Sequence, residues 1–155
     1  MRLIVLLVTL ATAAGASPPL HESKVELFVS NTEESVRFYQ ALGFHVAHQK
    51  EGGYTTLDNG AAVIALSPLP EWLPLHWLGF LRHPPLGTEL VFYTARLEAM
   101  RTELADAGYE PGPIELQSWG DRDFRITDRD GYYIRISEGA AIPASAPSRT
   151  ATSAP

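Results

Sequence analysis

Apolar and polar residues alternate near the start of the chain, with Val25, Leu27 and Val29 on one side and Lys24, Glu26, Phe28 and Ser30 on the other. A period of two marks a half-buried strand. The spacing then becomes helical: Asn31 is placed to cap a helix, Glu34 sits three residues on, and Val36, Phe38, Tyr39 and Leu42 form an apolar stripe that Gly43 ends. Residues 44–48, 54–57 and 61–66 read as three short strands, with Glu51-Gly52-Gly53 and Asp58-Asn59-Gly60 as the turns between them. The predicted order is βαβββ.

The second half repeats the opening of that order. Residues 89–94 alternate with Leu90 and Phe92 on one face, and Leu97, Met100, Leu104 and Ala107 form a helical stripe closed by Gly108. Laying Gly43-Phe44 on Gly108-Tyr109 places Val25, Leu27 and Val29 on Leu90, Phe92 and Thr94 without a gap, which points to a duplication. A Pro-rich stretch at 111–114, a strand at 124–127, the turn Asp128-Arg129-Asp130-Gly131 and a last strand at 132–137 follow. Between the halves, residues 67–87 combine many prolines with Trp72, Trp77 and Phe80, too apolar for a disordered linker. That connection reads as a clamp over the core, a lid over a ligand, or a dimer contact.

The ends have a different character. Met1-Arg2, the apolar run 3–10 and the small residues Ala14-Gly15-Ala16 fit a signal peptide of residues 1–16, cleaved before Ser17. An uncleaved anchor or a buried first helix are the alternatives, although the run is short for a membrane span of roughly 20 residues. The expectation is therefore an exported protein, periplasmic or secreted, with no stable membrane span after cleavage. Residues 140–155 are mostly Ala, Pro, Ser and Thr, a composition expected to be disordered, which leaves one domain at 21–139.

Composition narrows the chemistry. A formal charge of -6 gives no cationic excess for a nucleic-acid backbone. The absence of cysteine removes disulfides, thiolate nucleophiles and Cys-ligated metals, so a metal would need His or carboxylate ligands.

Two motifs carry a family resemblance: Ser35-Val36-Arg37-Phe38-Tyr39 with Leu42-Gly43-Phe44, and Trp119-Gly120-Asp121-Arg122-Asp123-Phe124 leading into Asp128-Arg129-Asp130-Gly131-Tyr132. On a βαβββ repeat, in this order, they resemble the vicinal-oxygen-chelate superfamily, which includes glyoxalase I, bleomycin-resistance proteins, fosfomycin-resistance proteins and extradiol dioxygenases. The resemblance implies an α+β fold: two βαβββ modules forming a curled, cup-like mixed sheet, with helices outside and a ligand cavity within. The alternation then assigns the inward faces to Lys24, Glu26 and Phe28, to Val63 and Ala65, to Glu89, Val91 and Tyr93, and to Tyr133, Arg135 and Ser137.

In metal-dependent members of the family, four inward residues on four strands bind a divalent ion through His and Glu. The corresponding positions here are Lys24, Ala65, Glu89 and Arg135, of which Glu89 alone has a ligand-type side chain. No metal is expected, and a divalent metal is the alternative. The inward charges Lys24, Glu26, Glu89 and Arg135 should pair with one another, or Arg135 should anchor a carboxylate or phosphate. Trp119, with Phe28, Tyr93 and Tyr133, offers aromatic surface for a planar ligand; closing the sheet edge is the other role open to Trp119. His45 and His48, three apart on one strand, are expected on opposite faces, and no histidine pair has ligand spacing on a shared face. Asp121, Asp123, Asp128 and Asp130 match the family turn, where the resemblance implies that carboxylates cap backbone amides, rather than a calcium loop.

These features lead to the expectation of an exported protein that binds or sequesters a small planar or amphipathic molecule without a metal. The ligand-binding candidates are Lys24, Glu26, Phe28, Glu89, Tyr93, Trp119, Tyr133 and Arg135. An alternative is a glyoxalase-like lyase or related enzyme of the same superfamily, metal-dependent or using Glu89 or Glu26 as a base. A homodimer is a further expectation.

Overall fold

The computed structural model describes residues 23–70, 72 and 88–139. The expected leader 1–16, the tail 140–155 and most of the 67–87 connection lie outside the described residues.

Ten elements follow in order: β1 (Val25–Val29), α1 (Thr32–Ala41), β2 (His45–Gln49), β3 (Thr55–Asp58), β4 (Val63–Pro68), β5 (Leu90–Tyr93), α2 (Leu97–Asp106), β6 (Glu115–Leu116), β7 (Arg122–Thr127) and β8 (Tyr133–Ser137). They form two βαβββ modules, each with a four-stranded sheet, ordered β1-β4-β3-β2 and β5-β8-β7-β6. β1 with β4 and β5 with β8 pair in parallel and the rest antiparallel, so the sheets are mixed and open, and the α+β architecture is the expected one.

The duplication extends to single hydrogen bonds. After α1, Phe44 N–H reaches Tyr39 O at 3.0 Å and Gly43 N–H reaches Gln40 O at 2.9 Å; after α2, Tyr109 reaches Leu104 and Gly108 reaches Ala105, both at 3.0 Å. Both helices thus end in a Schellman motif, with Gly43 (φ +90) and Gly108 (φ +88) in the left-handed conformation that glycine adopts without steric cost. At the start of α1, Asn31 caps as expected: Oδ1 accepts from Glu34 N–H at 3.1 Å, and Nδ2 returns a bond to Glu34 Oε1 at 3.3 Å.

One core joins the modules. The helix-facing residues of the sheets, including Leu27, Val29, Leu57, Ile64 and Leu66 in the first module and Phe124, Ile126, Ile134 and Ile136 in the second, are buried together. Each such side chain contributes about 1.5–3 kcal/mol by leaving water. Phe38 meets Tyr109 edge-on at 5.1 Å, and Phe44 meets Phe92 at 5.5 Å.

The turn between β7 and β8 fastens the second module to the first. Asp128 Oδ1 accepts from the backbone amides of Asp130 and Tyr132, which shapes the turn, while Oδ2 accepts from the Tyr39 hydroxyl on α1. Asp130 then takes the Ser30 amide at 3.0 and 3.1 Å, and the Tyr132 hydroxyl both accepts from Phe28 N–H at 3.0 Å and donates to Phe28 O at 3.1 Å. β1 is an edge strand, and these bonds satisfy backbone groups that it would otherwise present to solvent.

Three local features differ from the sequence reading. β6 is absent from it, because two exposed residues carry no periodicity. β7 begins at Arg122 rather than at 124, so Asp123 lies in a strand and not in the turn. β2 is irregular between Val46 and His48, where Ala47 is inserted: His45 stands opposite Asp58 and His48 opposite Thr56. Asp58 and Thr56 share the face turned away from buried Thr55 and Leu57, so the two histidines share a face and do not oppose one another. An inserted residue shifts the alternation by one.

Candidate functional site

The outer face of the second sheet carries a cluster of charged side chains. Register sets Val91, Arg135 and Arg125 in one row across β5, β8 and β7, and Tyr93, Ser137 and Asp123 in the next. The same alternation that buries Phe124, Ile126, Ile134 and Ile136 toward the helices turns Asp123, Arg125 and Arg135 to this side.

These three charges interlock with Glu89, which immediately precedes β5. Arg135 Nη2 is 3.5 Å from Glu89 Oε2, and Arg135 Nη1 is 3.9 Å from Asp123 Oδ2. Arg125 Nη1 holds Asp123 Oδ1 at 2.7 Å, and Arg125 Nε stands 3.9 Å from Glu89 Oε1. Gln117 Nε2 donates a second bond to Asp123 Oδ1 at 2.9 Å. The Asp123 side chain is 0% exposed, that of Arg135 20% and that of Glu89 27%. Two carboxylates and two guanidiniums balance in charge, as buried charges must to offset the loss of water.

The pairing is nevertheless incomplete. Asp123 Oδ2 and Arg135 Nε are buried and have no hydrogen-bond partner among the described residues. The 3.5 and 3.9 Å separations at Arg135 exceed good hydrogen-bond length. Over this cluster lies Trp119, its ring 5.3 Å from the Arg135 guanidinium carbon and itself 55% exposed. It rides on the turn between β6 and β7, closed by Gln117 N–H to Asp121 O at 2.8 Å and Gly120 N–H to Gln117 O at 2.9 Å.

Of the residues singled out from sequence, Glu89, Arg135 and Trp119 come together here, and Glu89 pairs with Arg135 as charge matching required. Tyr133 is half-buried and Tyr93 exposed on the same sheet. Glu26 and Phe28 belong to the first sheet, and Lys24 immediately precedes its strand β1. The Lys24 ammonium donates to the Tyr54 hydroxyl at 2.7 Å, Glu26 sits exposed beside Ala65 in the register, and the Phe28 ring is exposed. Sequence reasoning missed Gln117, Asp123 and Arg125. Asp128 and Asp130 cap backbone amides as the turn motif implies, but Asp123 does not: it is the buried centre of the ion network.

The four positions that hold a divalent ion in metal-dependent relatives do not fit one here. Ala65 has no donor atom, Arg135 is a cation, the Lys24 ammonium points its charge at Tyr54, and Glu89 lies beside two guanidiniums. Among the described residues no three His, Asp or Glu side chains gather as a metal centre, and no described helix is long and apolar enough to cross a membrane.

Residues 23–136 match the sequence profile of the Glyoxalase/Bleomycin resistance protein/Dioxygenase superfamily, and the chain belongs to that family. Among solved structures it is similar to a bleomycin-binding protein complexed with bleomycin, at 18% identity over 78% of this chain and 100% of that one, TM-score 0.58. A bleomycin resistance determinant encoded on the transposon Tn5 matches at 18% identity over 79% and 100%, TM-score 0.60. A protein of unknown function from Agrobacterium tumefaciens matches at 22% identity over 80% and 98%, TM-score 0.59. Comparison with curated proteins gives no match.

Proposed function

We propose that this chain binds a small planar or amphipathic molecule without a metal, using the outer face of the second sheet, with Arg135 and Asp123 as the polar centre and Trp119 as the stacking wall. The observation that carries this reading is the Arg135 guanidinium: largely buried, covered by an aromatic ring, and left with an unbonded Nε. A buried donor without an acceptor costs about 1–3 kcal/mol, which a bound acceptor recovers. The superfamily and the bleomycin complex of one structural relative support binding of a small molecule. The leader-like residues 1–16 support export to the periplasm or beyond, and we propose a homodimer as the working assembly.

The test is thermal unfolding of the full chain against planar aromatic compounds. A ligand bound only by the folded state raises the melting temperature, and Trp119→Ala should diminish that rise.

A second reading makes the protein an enzyme in which Glu89 accepts a proton from the bound molecule. What favours it is that Glu89 is partly exposed while Asp123 is sealed. Turnover of a bound compound that disappears in Glu89→Gln, with binding kept, would establish it.

A further inference from the structure

We infer that the cavity between α1 and the β7–β8 turn is a second ligand site, distinct from the Trp119 face, and that it takes a small organic cation: an ammonium group on an aromatic body. The cavity measures about 460 Å³, within the roughly 300–1,000 Å³ of small-molecule sites. Phe38 lines it from α1, Tyr109 and Glu110 from the segment after α2, and Asp128 from the turn, with the exposed Arg37 and Arg129 beside them.

Asp128 is the group in want of a counter-charge. It is 6% exposed, and its pKa is raised by burial to about 6, so near neutral pH the cavity holds an ionised carboxylate. Its hydrogen-bond donors, the Tyr39 hydroxyl and the amides of Asp130 and Tyr132, are all neutral. Neither arginine lining the cavity pairs with it: Arg129 is held by Glu34, and Arg37 forms no ion pair among the described residues. A buried charge without a counter-ion is the costly arrangement. A carboxylate has about four acceptor sites, so Oδ2, which accepts one bond, keeps another for a ligand N–H.

The rest of the lining favours the same sign. Glu110 adds a carboxylate, and the C-terminal end of α2, with no basic residue in its last turn, leads directly into Tyr109 and Glu110. Arg37 opposes a cation, but it is exposed and screened by water, while Asp128 is buried. The half-buried Tyr109 ring, edge-on to Phe38 at 5.1 Å, supplies an aromatic wall for the ligand body.

The experiment titrates the isotope-labelled full chain with benzylamine and with benzyl alcohol, which share a body and differ in charge, and follows backbone amide shifts. Benzylamine should shift the amides of Tyr109, Glu110 and Arg129 together, and benzyl alcohol should bind roughly tenfold more weakly or worse, the scale of one charge-assisted hydrogen bond. Benzylamine affinity should also rise about tenfold between about pH 5 and pH 7, following the ionised fraction of Asp128. The groups facing Asp128 are Glu34, Arg37 and Tyr39 on α1, Tyr109 and Glu110 after α2, and Arg129, Asp130 and Tyr132 on its own turn; no histidine is among them. Asp128→Asn keeps an amide oxygen for the turn bonds and should lose both the cation preference and the pH dependence. Circular dichroism checks that the variant folds, and if it does not, the wild-type ranking and pH profile decide alone. Equal affinities, a flat pH profile, shifts centred away from this cavity, an undiminished cation preference in folded Asp128→Asn, or no binding of benzylamine overturns the inference. The Trp119 reading has its own planar-ligand test and is untouched by any of these results.

Discussion

The Tyr39 hydroxyl donates to Asp128 Oδ2 at 3.3 Å across the boundary between the modules, one end of the β7–β8 turn that also holds Ser30 and Phe28. Burial is the largest influence on this carboxyl and raises its pKa from 3.8 to about 6; Asp130 adds to the rise, while bonds from Tyr132, Tyr39 and Asp130 oppose it. Burial and the adjoining Asp128 carboxylate push the Tyr39 hydroxyl well above its ordinary value.

The sign of the resulting pH dependence follows from proton uptake. The folded state protonates Asp128 near pH 6 and the unfolded state near 3.8, so between those values folding takes up a proton and this group adds stability as pH falls. Asp128→Asn should remove that contribution. The stability of wild type relative to the variant should rise by about 2–3 kcal/mol between pH 7 and pH 4. Denaturant midpoints of both proteins across that range check it; a difference that is flat or falls toward acid contradicts the assignment.

Tyr132→Phe removes the hydroxyl that both accepts from and donates to the Phe28 backbone. The expected loss is about 1–2 kcal/mol from exposing or orphaning those edge groups. Because β1 carries Glu26 and Phe28, amide exchange should quicken there first, which hydrogen-exchange measurements on β1 would read.

Trp119→Ala should weaken binding of planar ligands roughly tenfold, the scale of one lost stacking partner of about 1–1.5 kcal/mol, while changing the melting temperature of the free protein little, since the ring is more than half exposed. Full affinity in Trp119→Ala would remove the stacking wall from the account.

How far the sequence reached is clearest at paired positions. The repeated glycines, Gly43 and Gly108, were legible because a helix end that needs positive φ leaves a residue-specific mark. Glu89 and Arg135 were legible as a pair because Arg135 alternates with apolar neighbours inside β8 and Glu89 stands one step before apolar β5. Asp123 was not, because Arg122-Asp123 continues a polar turn in composition and only backbone pairing with Glu138 and Ser137 draws it into β7; Arg125 stood in the expected strand 124–127, but its main partner, Asp123, did not. The shared face of His45 and His48 depends on one inserted residue, Ala47, whose small side chain gives no warning of a bulge. β6 is two residues long, below any periodicity.

The most direct test of the central claim is the melting temperature of the full chain with and without Zn²⁺, Ni²⁺, Mn²⁺ and Fe²⁺, run beside a series of planar aromatic compounds. The account predicts no rise with any of the metals and a concentration-dependent rise with at least one aromatic compound. A rise with a metal that Glu89→Gln abolishes would contradict it, and would place a metal where Arg135 now stands against Glu89.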